Sequence, residues 1–381
     1  MEFAWSPEQD AYRQTLKDTV AELLPDNWTT EIAPHSYGSK EQIAFSKSFC
    51  AEMANRGLLV QQWPAEYGGG DGDAWQQWIL AEEMMWVGEP RGPQYMNVNW
   101  IGPAIMRHGS PEQKAEHLSR IAGGQVIWCQ GFSEPGGGSD LAGMKTKAER
   151  QADGAYLVNG SKIWTSYSPS ADYCFLLART GEQRKAISIF LIPMSLPGIE
   201  IQTYPGLVGK GHLNQVFFTD MVVPESMRMG EEGQAWEIIT YALRFERVSV
   251  ARFHIGRKVL DRAVVQLQRE GRFNDSAVRV RAGRIVALLE AGRLLSYYVI
   301  DQRAKQGSDD VNGNIARVSV SAASQELQAF IMDYTPDALT GGDYVLHEFF
   351  RANLSSTIAA GAYEIQLNLI AQGALNLPRS A

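Results

Sequence analysis

The chain has 381 residues, of which 45% are hydrophobic and 20% are charged, and it contains 36 glycines and 16 prolines. This length predicts two or three domains with substantial cores, and the composition excludes a collagen-like, low-complexity or disordered protein. The 35 basic and 43 acidic residues give a net charge of −8, which argues against nucleic acid or an anionic membrane as the main partner.

Cysteine usage and the N-terminus predict a cytoplasmic protein. The three cysteines are odd in number and widely spaced, so they form neither a disulfide framework nor a CxxC metal site. The six histidines show no HxH or HExxH spacing, and we expect no metal. The opening MEFAWSPEQDAYRQ lacks the basic and apolar regions of a secretory signal. The longest apolar stretch, Ile285 to Ile300, is interrupted by Glu290 and Arg293, so we expect no transmembrane helix.

The first third of the chain predicts helices. From Ser6 to about Ile121 the apolar residues recur every three or four positions. The run WPAEYGGGDGD at 63–73 predicts a loop. Ser110, followed three residues later by Gln113, predicts the capped start of a helix. We therefore expect an N-terminal helical domain at residues 1–122.

At about Gly123 the pattern changes to short β-branched and aromatic runs separated by Gly, Pro, Asn and Asp. This pattern predicts a middle β-domain, a compact barrel or sandwich, at residues 123–230. Long helical patterns return after Gly230 and predict a C-terminal helical domain at residues 231–381. The expected fold class is thus multidomain α+β. The turn signals of the β-domain are Asp153-Gly154, Asn159-Gly160, Thr180-Gly181-Glu182 and Val223-Pro224-Glu225.

The Gly-rich run EPGGGSD at 134–140 is a candidate anion-binding loop, because bare backbone N–H groups can approach an anion closely. It matches neither GxxxxGK[ST] nor GxGxxG between a strand and a helix. Taken alone, such a run is more often a plain surface turn than an anion-binding loop.

Glu246 is a candidate catalytic carboxylate. Ile239, Leu243, Glu246 and Val250 step by four, three and four, which places the carboxylate in line with an apolar helical stripe and predicts that it is partly buried. A buried carboxylate needs a partner or a shifted pKa, and a pKa raised toward neutrality suits a general base. The alternative is a structural ion pair with an arginine, although Arg244 and Arg247 are too close in sequence to face it on a helix.

These segments together resemble the acyl-CoA dehydrogenase family over most of the chain. The resemblance implies an N-terminal helical domain, a middle β-barrel and a C-terminal four-helix bundle, with FAD bound between barrel and bundle. It also implies oxidation of the Cα–Cβ bond of an acyl-CoA thioester, with electrons passed to an electron-transfer flavoprotein. The matching segments, in order, are WPAEYGG (63–69), GPAIMRHGSPEQK (102–114), GFSEPGGGSD (131–140), NGSKIWTSY (159–167), FFTDMVVPESMRMGEEGQAW (217–236), FERVSVAR (245–252) and AGAYEIQLNLIAQGALNLPR (360–379).

The resemblance assigns cofactor and substrate contacts to two of these segments. The family's EPGxGSD loop binds the flavin and its pyrophosphate, and the matching residues here are Phe132, Ser133, Gly138 and Ser139. Ser139 is also expected to contact the substrate. In the KxW motif, Trp164 is expected to stack on the isoalloxazine and Ser166 to direct its hydroxyl toward the reactive edge. Without the family, a tryptophan in a strand is as often core packing.

The family carries its catalytic glutamate at either of two positions. In many members it immediately precedes the Gly of the C-terminal motif, which here is Ala360 before Gly361. In a smaller group, including bacterial steroid-degrading subunits, it precedes an Arg on the first bundle helix, which here is Glu246 before Arg247. The resemblance therefore implies that Glu246 is the base and that Arg247 contacts the substrate. Glu364 is an alternative acid, expected on the bundle surface.

The contacts that a neighbouring subunit makes with FAD depart from the family pattern. An Arg is expected three residues before Phe273, but Glu270 stands there, with Arg269 and Arg272 beside it as possible substitutes. The run MDYTPDALTGGD at 332–343 replaces the expected Gln and GGxG turn. This departure favours an α2β2 heterotetramer with a homologous second subunit, as in bacterial steroid side-chain dehydrogenases, over a homotetramer. A steroid or other bulky acyl-CoA is the expected substrate.

Two rival functions remain open on this fold. One is a flavin-dependent oxidase or monooxygenase, in which the reduced flavin reacts with oxygen. The other is a non-catalytic or FAD-sharing partner subunit of a heteromeric dehydrogenase, whose signature would be loss of the base and of the flavin-facing loop. Glu246, Ser133 and Trp164 are all present, which favours the dehydrogenase.

Overall fold

The structure, a computed structural model, describes residues 5–28, 38–207, 209–248, 251–305, 311–359 and 361–378. The chain begins with helices. A short helical turn, Gln94–Met96, and a π-helical segment, Asn97–Ile101, lead directly into the helix that begins at Gly102. The N-terminal helices are α1 (Pro7–Leu23), α2 (Lys40–Asn55), α3 (Ala74–Trp86), α4 (Gly102–His108) and α5 (Pro111–Ala122).

The middle of the chain forms one mixed sheet of eight strands. Its order is β6-β7-β3-β2-β4-β5-β8, and β1 pairs with β4. The β1–β4 and β2–β4 pairs are parallel, whereas the other pairs are antiparallel. The strands are β1 (Trp128–Gly131), β2 (Lys147–Arg150), β3 (Tyr156–Ile163), β4 (Tyr173–Arg179), β5 (Ile187–Pro193), β6 (Ile199–Gly206), β7 (Gly209–Val223) and β8 (Arg228–Met229).

Helices return after the sheet, so the predicted order of helices, β-domain and helices is confirmed. None of the helices in the described ranges has the length and hydropathy that a membrane span requires. The C-terminal helices are α6 (Ala235–Arg247), α7 (Arg252–Arg269), α8 (Ser276–Ala304), α9 (Asn312–Tyr334), α10 (Tyr344–Asn353) and α11 (Tyr363–Gly373).

Local sequence signals account for several element boundaries. Ser110 and Gln113 form the predicted capping box at the start of α5, each side chain bonding the other residue's backbone N–H. The Asp153-Gly154 turn joins β2 to β3, with Gly154 at a φ of 88°, and the Thr180-Gly181 signal lies in the connection between β4 and β5. Pro224 follows the last residue of β7 and ends it.

The Asn159-Gly160 hairpin prediction is wrong. Both residues lie inside β3, which pairs with β7 on both sides of them, and the register shifts between Val158 and Gly160. Gly160 has a φ of 146°, and an added Cβ would lie 2.6 Å from the Cα of Thr146. The glycine therefore serves a β-bulge and a close backbone approach rather than a turn.

The described structure forms two compact units that cut across the chain order. One comprises Met1–Pro34, Asp73–Glu89 and Arg247–Ala381, and the other comprises His35–Gly72 and Pro90–Glu246. The core of the sheet, which includes Tyr156 and Phe190, lies in the second unit. The helical core of the first unit draws side chains from α3 as well as from α7 to α10.

Glu82 explains why α3 belongs with the C-terminal helices. Its buried carboxylate accepts hydrogen bonds from Arg13 of α1 (2.7 Å), from Trp78 of α3 (3.1 Å) and from Tyr297 of α8 (2.8 Å). The Nε2 of His254, on α7, lies 3.6 Å away. One carboxylate thus joins four helices that are far apart in sequence.

Candidate active site

The Gly-rich loop leaves its middle clear of other protein atoms. Glu134 and Gly137 exchange backbone hydrogen bonds of 3.0 and 2.9 Å, so the loop turns tightly. A Cβ added at Gly136 would meet nothing within 4 Å, and one at Gly138 would meet only the Ser133 side chain, at 3.5 Å. Gly138 and Ser139 are exposed, whereas Phe132 and Ser133 are half-buried. A ligand can therefore approach the glycine backbone closely.

A buried ion pair fixes the entrance of this loop. The Nζ of Lys162, which is fully buried, donates to the Oε1 of Glu134 at 2.9 Å and to the carbonyl of Phe132 at 3.1 Å. The Glu134 carboxylate also accepts from the N–H groups of Lys145 and Thr146. Burial would raise the pKa of Glu134, but the Lys162 charge and these donors outweigh burial and lower it. The pair ties the loop to β3.

Sequence reasoning missed this role of Lys162. The local signal was the alternation of β3, which places Lys162 among the buried residues of the strand. Trp164, the other fixed residue of the K-x-W motif, follows just beyond the strand. Its partner lies 28 residues earlier in the chain, so no local pattern reveals the pair.

Trp164 is held in an unusual conformation at the end of β3. Its side chain is 57% exposed, and its φ of 59° is left-handed, which costs a non-glycine residue about 1–2 kcal/mol. Thr165 is fully buried and exchanges hydrogen bonds with Asn214 of β7, which fixes the backbone here. The Oγ1 of Thr165 is buried without a hydrogen-bond partner in the described chain, and Ser166 is half-buried. A large aromatic face is thus presented to solvent from a rigid backbone.

The two cofactor segments predicted from sequence meet in the structure. The N–H of Ile163 donates to the carbonyl of Ser133 at 2.9 Å. Together with the bond from Lys162 to Phe132, this contact places the end of β3 beside the start of the Gly-rich loop. Ser133 and Trp164 therefore flank one surface of the same compact unit.

Glu246 is half-buried near the end of α6, which confirms its predicted partial burial. The buried face of this helix includes Ile238, Ile239 and Ala242, and Glu246 continues that face one turn after Ala242. Arg247 is also half-buried. Glu246 belongs to the unit that holds the Gly-rich loop and Trp164, and the boundary between the units falls between Glu246 and Arg247.

The sequence offered two other positions for comparison with Glu246, the alternative acid Glu364 and the family's other base position, Ala360. Glu364 is exposed in the first turn of α11, as predicted for a surface residue. Ala360 lies outside the described residues. Gly361, which follows it, has a left-handed φ of 88°.

The residues expected to face a neighbouring subunit's cofactor lie at the end of α7 and just after it. Arg269 and Arg272 are both exposed, but Arg272 forms an ion pair of 3.2 Å with Glu270. The hydrogen bond from Gln266, with that from Arg272, lowers the pKa of Glu270. Phe273 is half-buried against the helical core of its unit. The acid that replaces the family's arginine therefore also engages one of the two possible substitutes.

Most of the chain matches the models of one protein family. The N-terminal, middle and C-terminal domain models of the acyl-CoA dehydrogenase family match residues 6–125, 129–221 and 233–375. The chain belongs to the acyl-CoA dehydrogenase family. Its reaction class is that of oxidoreductases acting on the CH–CH group of an acyl-CoA, and FAD is the cofactor of this family.

Two relatives match most of the chain in sequence. Acyl-CoA dehydrogenase IpdE1 of Mycolicibacterium smegmatis is 32% identical over 96% of this chain and 98% of its own length. Acyl-CoA dehydrogenase FadE34 of Mycobacterium tuberculosis is also 32% identical over 86% of this chain, but the match spans only 46%, or about half, of FadE34.

Among solved structures, the Tcur3481-Tcur3483 steroid ACAD superposes with a TM-score of 0.90 at 25% identity, covering 100% of both chains. The ChsE4-ChsE5 complex from Mycobacterium tuberculosis superposes with a TM-score of 0.87 at 28% identity, also covering 100% of both chains. These matches confirm the fold class predicted from sequence.

The residues of this chain fit FAD on structural grounds. The unobstructed glycines offer backbone N–H groups to an anionic pyrophosphate. The exposed Trp164 offers an aromatic face to a planar ring. The segments that carry these groups are joined by the backbone hydrogen bond from Ile163 to Ser133, so they lie side by side.

Proposed function

We propose that this chain is the catalytic subunit of an acyl-CoA dehydrogenase that introduces an α,β double bond into a bulky acyl-CoA, with Glu246 as the base. The observation that carries the proposal is the half-burial of Glu246 in line with the buried face of α6. A carboxylate acts as a general base when it is positioned beside the proton that it removes. The sequence offers only Ala360 at the family's other base position.

In this proposal, Glu246 takes the proton from the carbon next to the thioester carbonyl. Bound FAD would supply the acceptor for the hydride that leaves the β-carbon. Trp164 and the Gly-rich loop orient that acceptor, and Ser166 directs a hydroxyl toward it. Arg247, which follows the base, contacts the substrate. Oriented donors in a dry cleft stabilise the enolate-like charge and supply the largest share of the rate enhancement.

A steroid-type acyl group is the substrate class we favour. Support comes from two features, the base on the first bundle helix and the similarity to the Tcur3481-Tcur3483 steroid ACAD over the full chain. We also propose an electron-transfer flavoprotein as electron acceptor and a cytoplasmic location. The three cysteines, all within the described ranges, are buried and form no disulfide, as suits a reducing compartment.

A heteromeric assembly accounts for the altered surface after α7. Glu270 stands at the position of the expected arginine and pairs with Arg272, so this chain is a poor donor of cofactor contacts to a neighbour. Its own cofactor-facing loop and Trp164 are intact. A homologous second subunit would supply the missing arginine and glutamine in an α2β2 particle, and the ChsE4-ChsE5 structure is itself a complex.

The decisive test is anaerobic titration of the flavin-loaded protein with acyl-CoA substrates, including steroid-CoAs, followed by absorbance. We expect the flavin bands to bleach with a bulky acyl-CoA and to recover when an electron-transfer flavoprotein is added. Bands that persist with every acyl-CoA class would contradict the dehydrogenase. Rapid recovery of the bands in air alone would favour the oxidase alternative.

A further inference from the structure

Arg179, the last residue of β4, anchors the segment that follows the Gly-rich loop. Its guanidinium donates to three backbone carbonyls: Nε to Met144 at 3.1 Å, Nη2 to Ala142 at 2.5 Å and Nη1 to Gln183 at 2.8 Å. Its own N–H donates to the carbonyl of Thr146 at 2.9 Å. One side chain thus ties the exit of the loop to β4 and to the turn that follows it.

The loop is therefore held at both ends and open in the middle. At the entrance, the buried pair of Glu134 and Lys162 fixes the chain with a 2.9 Å contact. At the exit, Arg179 fixes Ala142 and Met144. Between these anchors, Gly137 is tied to Glu134 by two backbone hydrogen bonds, whereas a Cβ at Gly136 would meet nothing within 4 Å. Gly136 therefore has no packed neighbour.

This arrangement matters because glycine loses more conformational freedom on ordering than any other residue. Any part of the glycine run that is not held by the protein must be ordered by the ligand, at a cost to affinity. Fixed ends restrict the conformations of the run before the ligand binds. An arginine suits the task, since its planar fork can bond several carbonyls at once in a fixed geometry.

We propose that Arg179 is a positioning residue for FAD. By fixing residues 142–146, which follow the Gly-rich loop, it holds the glycine N–H groups where the cofactor's pyrophosphate binds. The inference rests on the proposed site for FAD. It assigns Arg179 no contact with the cofactor, and its effect passes through the loop backbone.

The chain contains a matched control on the same turn. Arg184 contacts the same segment through the carboxylate of Asp140, but these side chains are 70% and 57% exposed. An exposed ion pair of this kind contributes little. The two arginines therefore separate anchoring of the backbone from mere positive charge near the loop.

The experiment is a titration of deflavinated protein, in its assembled form, with FAD, followed by flavin fluorescence. We expect Arg179→Met to raise the FAD Kd about tenfold or more, because each lost anchor returns freedom to the loop. Arg184→Met should change Kd by less than about twofold. Arg179→Lys should lie between wild type and Arg179→Met, since an ammonium cannot make the same three bonds, and it serves as the informative variant if Arg179→Met does not fold.

Hydrogen exchange of the apo-protein supplies a readout independent of the cofactor. Amides of residues 136–144 should exchange faster in Arg179→Met than in wild type, and those of β6 should not change. An FAD Kd that stays at the wild-type value, with only the free energy of unfolding reduced, would show that Arg179 is structural and overturn the inference. Wild-type protein that binds no FAD would instead refute the proposed function.

Discussion

Two carboxylates show how position decides the role of a residue in this chain. Glu246 continues the buried face of α6 and is half-buried, whereas Glu364 is exposed at the start of α11. Only the first lies where water is partly excluded. The proposal therefore assigns the base to Glu246 and not to Glu364.

Replacement of Glu246 by Gln should preserve the fold and the bound flavin, because the amide has the same shape. Turnover should fall by at least about 10²-fold, the lower range for a positioned base. Steady-state kinetics with the substrate that bleaches the flavin would measure this loss. Glu364→Gln is the control and should keep near wild-type activity. A Glu246→Gln enzyme with full turnover would make the carboxylate structural.

Two glycines offer a second test at the residue scale. Gly160→Ala should destabilise the fold by several kcal/mol, because the new Cβ would lie 2.6 Å from the Thr146 Cα and the φ of 146° is strained for any other residue. Gly136→Ala should leave stability nearly unchanged, since its Cβ meets no protein atom, yet it should weaken FAD binding. Urea unfolding and FAD titration of both variants would separate the two effects.

At the scale of elements, Glu82 is the junction of α1, α3, α7 and α8. Burial would raise the pKa of this carboxyl, but the nearby His254 imidazole and the charge of Arg13 outweigh burial and lower it. The folded state therefore holds the proton less tightly than the unfolded chain. The stabilisation is present above the ordinary carboxyl pKa and is lost as the pH falls through the lowered, folded-state pKa.

Glu82→Gln should accordingly reduce the free energy of unfolding by up to about 3 kcal/mol near neutral pH, the lower end of the range for breaking a buried ion pair. The lower end applies because Glu83 still binds Arg13 in the variant. The difference from wild type should shrink as the pH falls below the ordinary carboxyl range. Denaturant unfolding across a pH series measures both effects. Asp18→Asn, at an exposed position of α1, should stay within about 0.5 kcal/mol of wild type. A Glu82→Gln deficit that grows toward acid pH would contradict this account.

The elements also show what a sequence can and cannot predict. Periodicity and capping boxes are local, so the helix order, the Ser110 cap and the partial burial of Glu246 were predictable. The Asn159-Gly160 signal failed because pairing of β3 with the long strand β7 outweighs a local turn preference. The pair of Glu134 and Lys162 and the anchoring by Arg179 depend on contacts tens of residues apart, which no local pattern contains.

At the scale of the whole molecule, the proposed heteromer assigns part of the cofactor site to a partner subunit. Glu270 and Arg272 engage each other on an exposed surface, and such a pair contributes little to stability. The presence of this ion pair, in place of an arginine that is free to bind the cofactor, fits a surface that has no cofactor to bind. The partner subunit would then carry the groups that a homotetramer would need here.

Expression of the chain alone and with a homologous partner chain tests the assembly. We expect an α2β2 particle with about one FAD per αβ pair from co-expression, and weak flavin retention from the chain alone. Native mass measurement and flavin titration would determine both quantities. A stable homotetramer with four tightly held FAD molecules would refute the heteromer and leave the reaction unaffected.

The interleaving of the two compact units has a consequence for biosynthesis. Residues 73–89 are made early, yet Trp78 and Met85 of α3 belong to a core completed by residues after Arg247. A nascent chain must therefore keep these large apolar side chains from aggregating until most of the polypeptide has left the ribosome. A fragment that stops after the sheet, at Met229, would expose them permanently. Folding of this unit therefore has to wait for the C-terminal helices, and intermediates formed before then expose apolar surface.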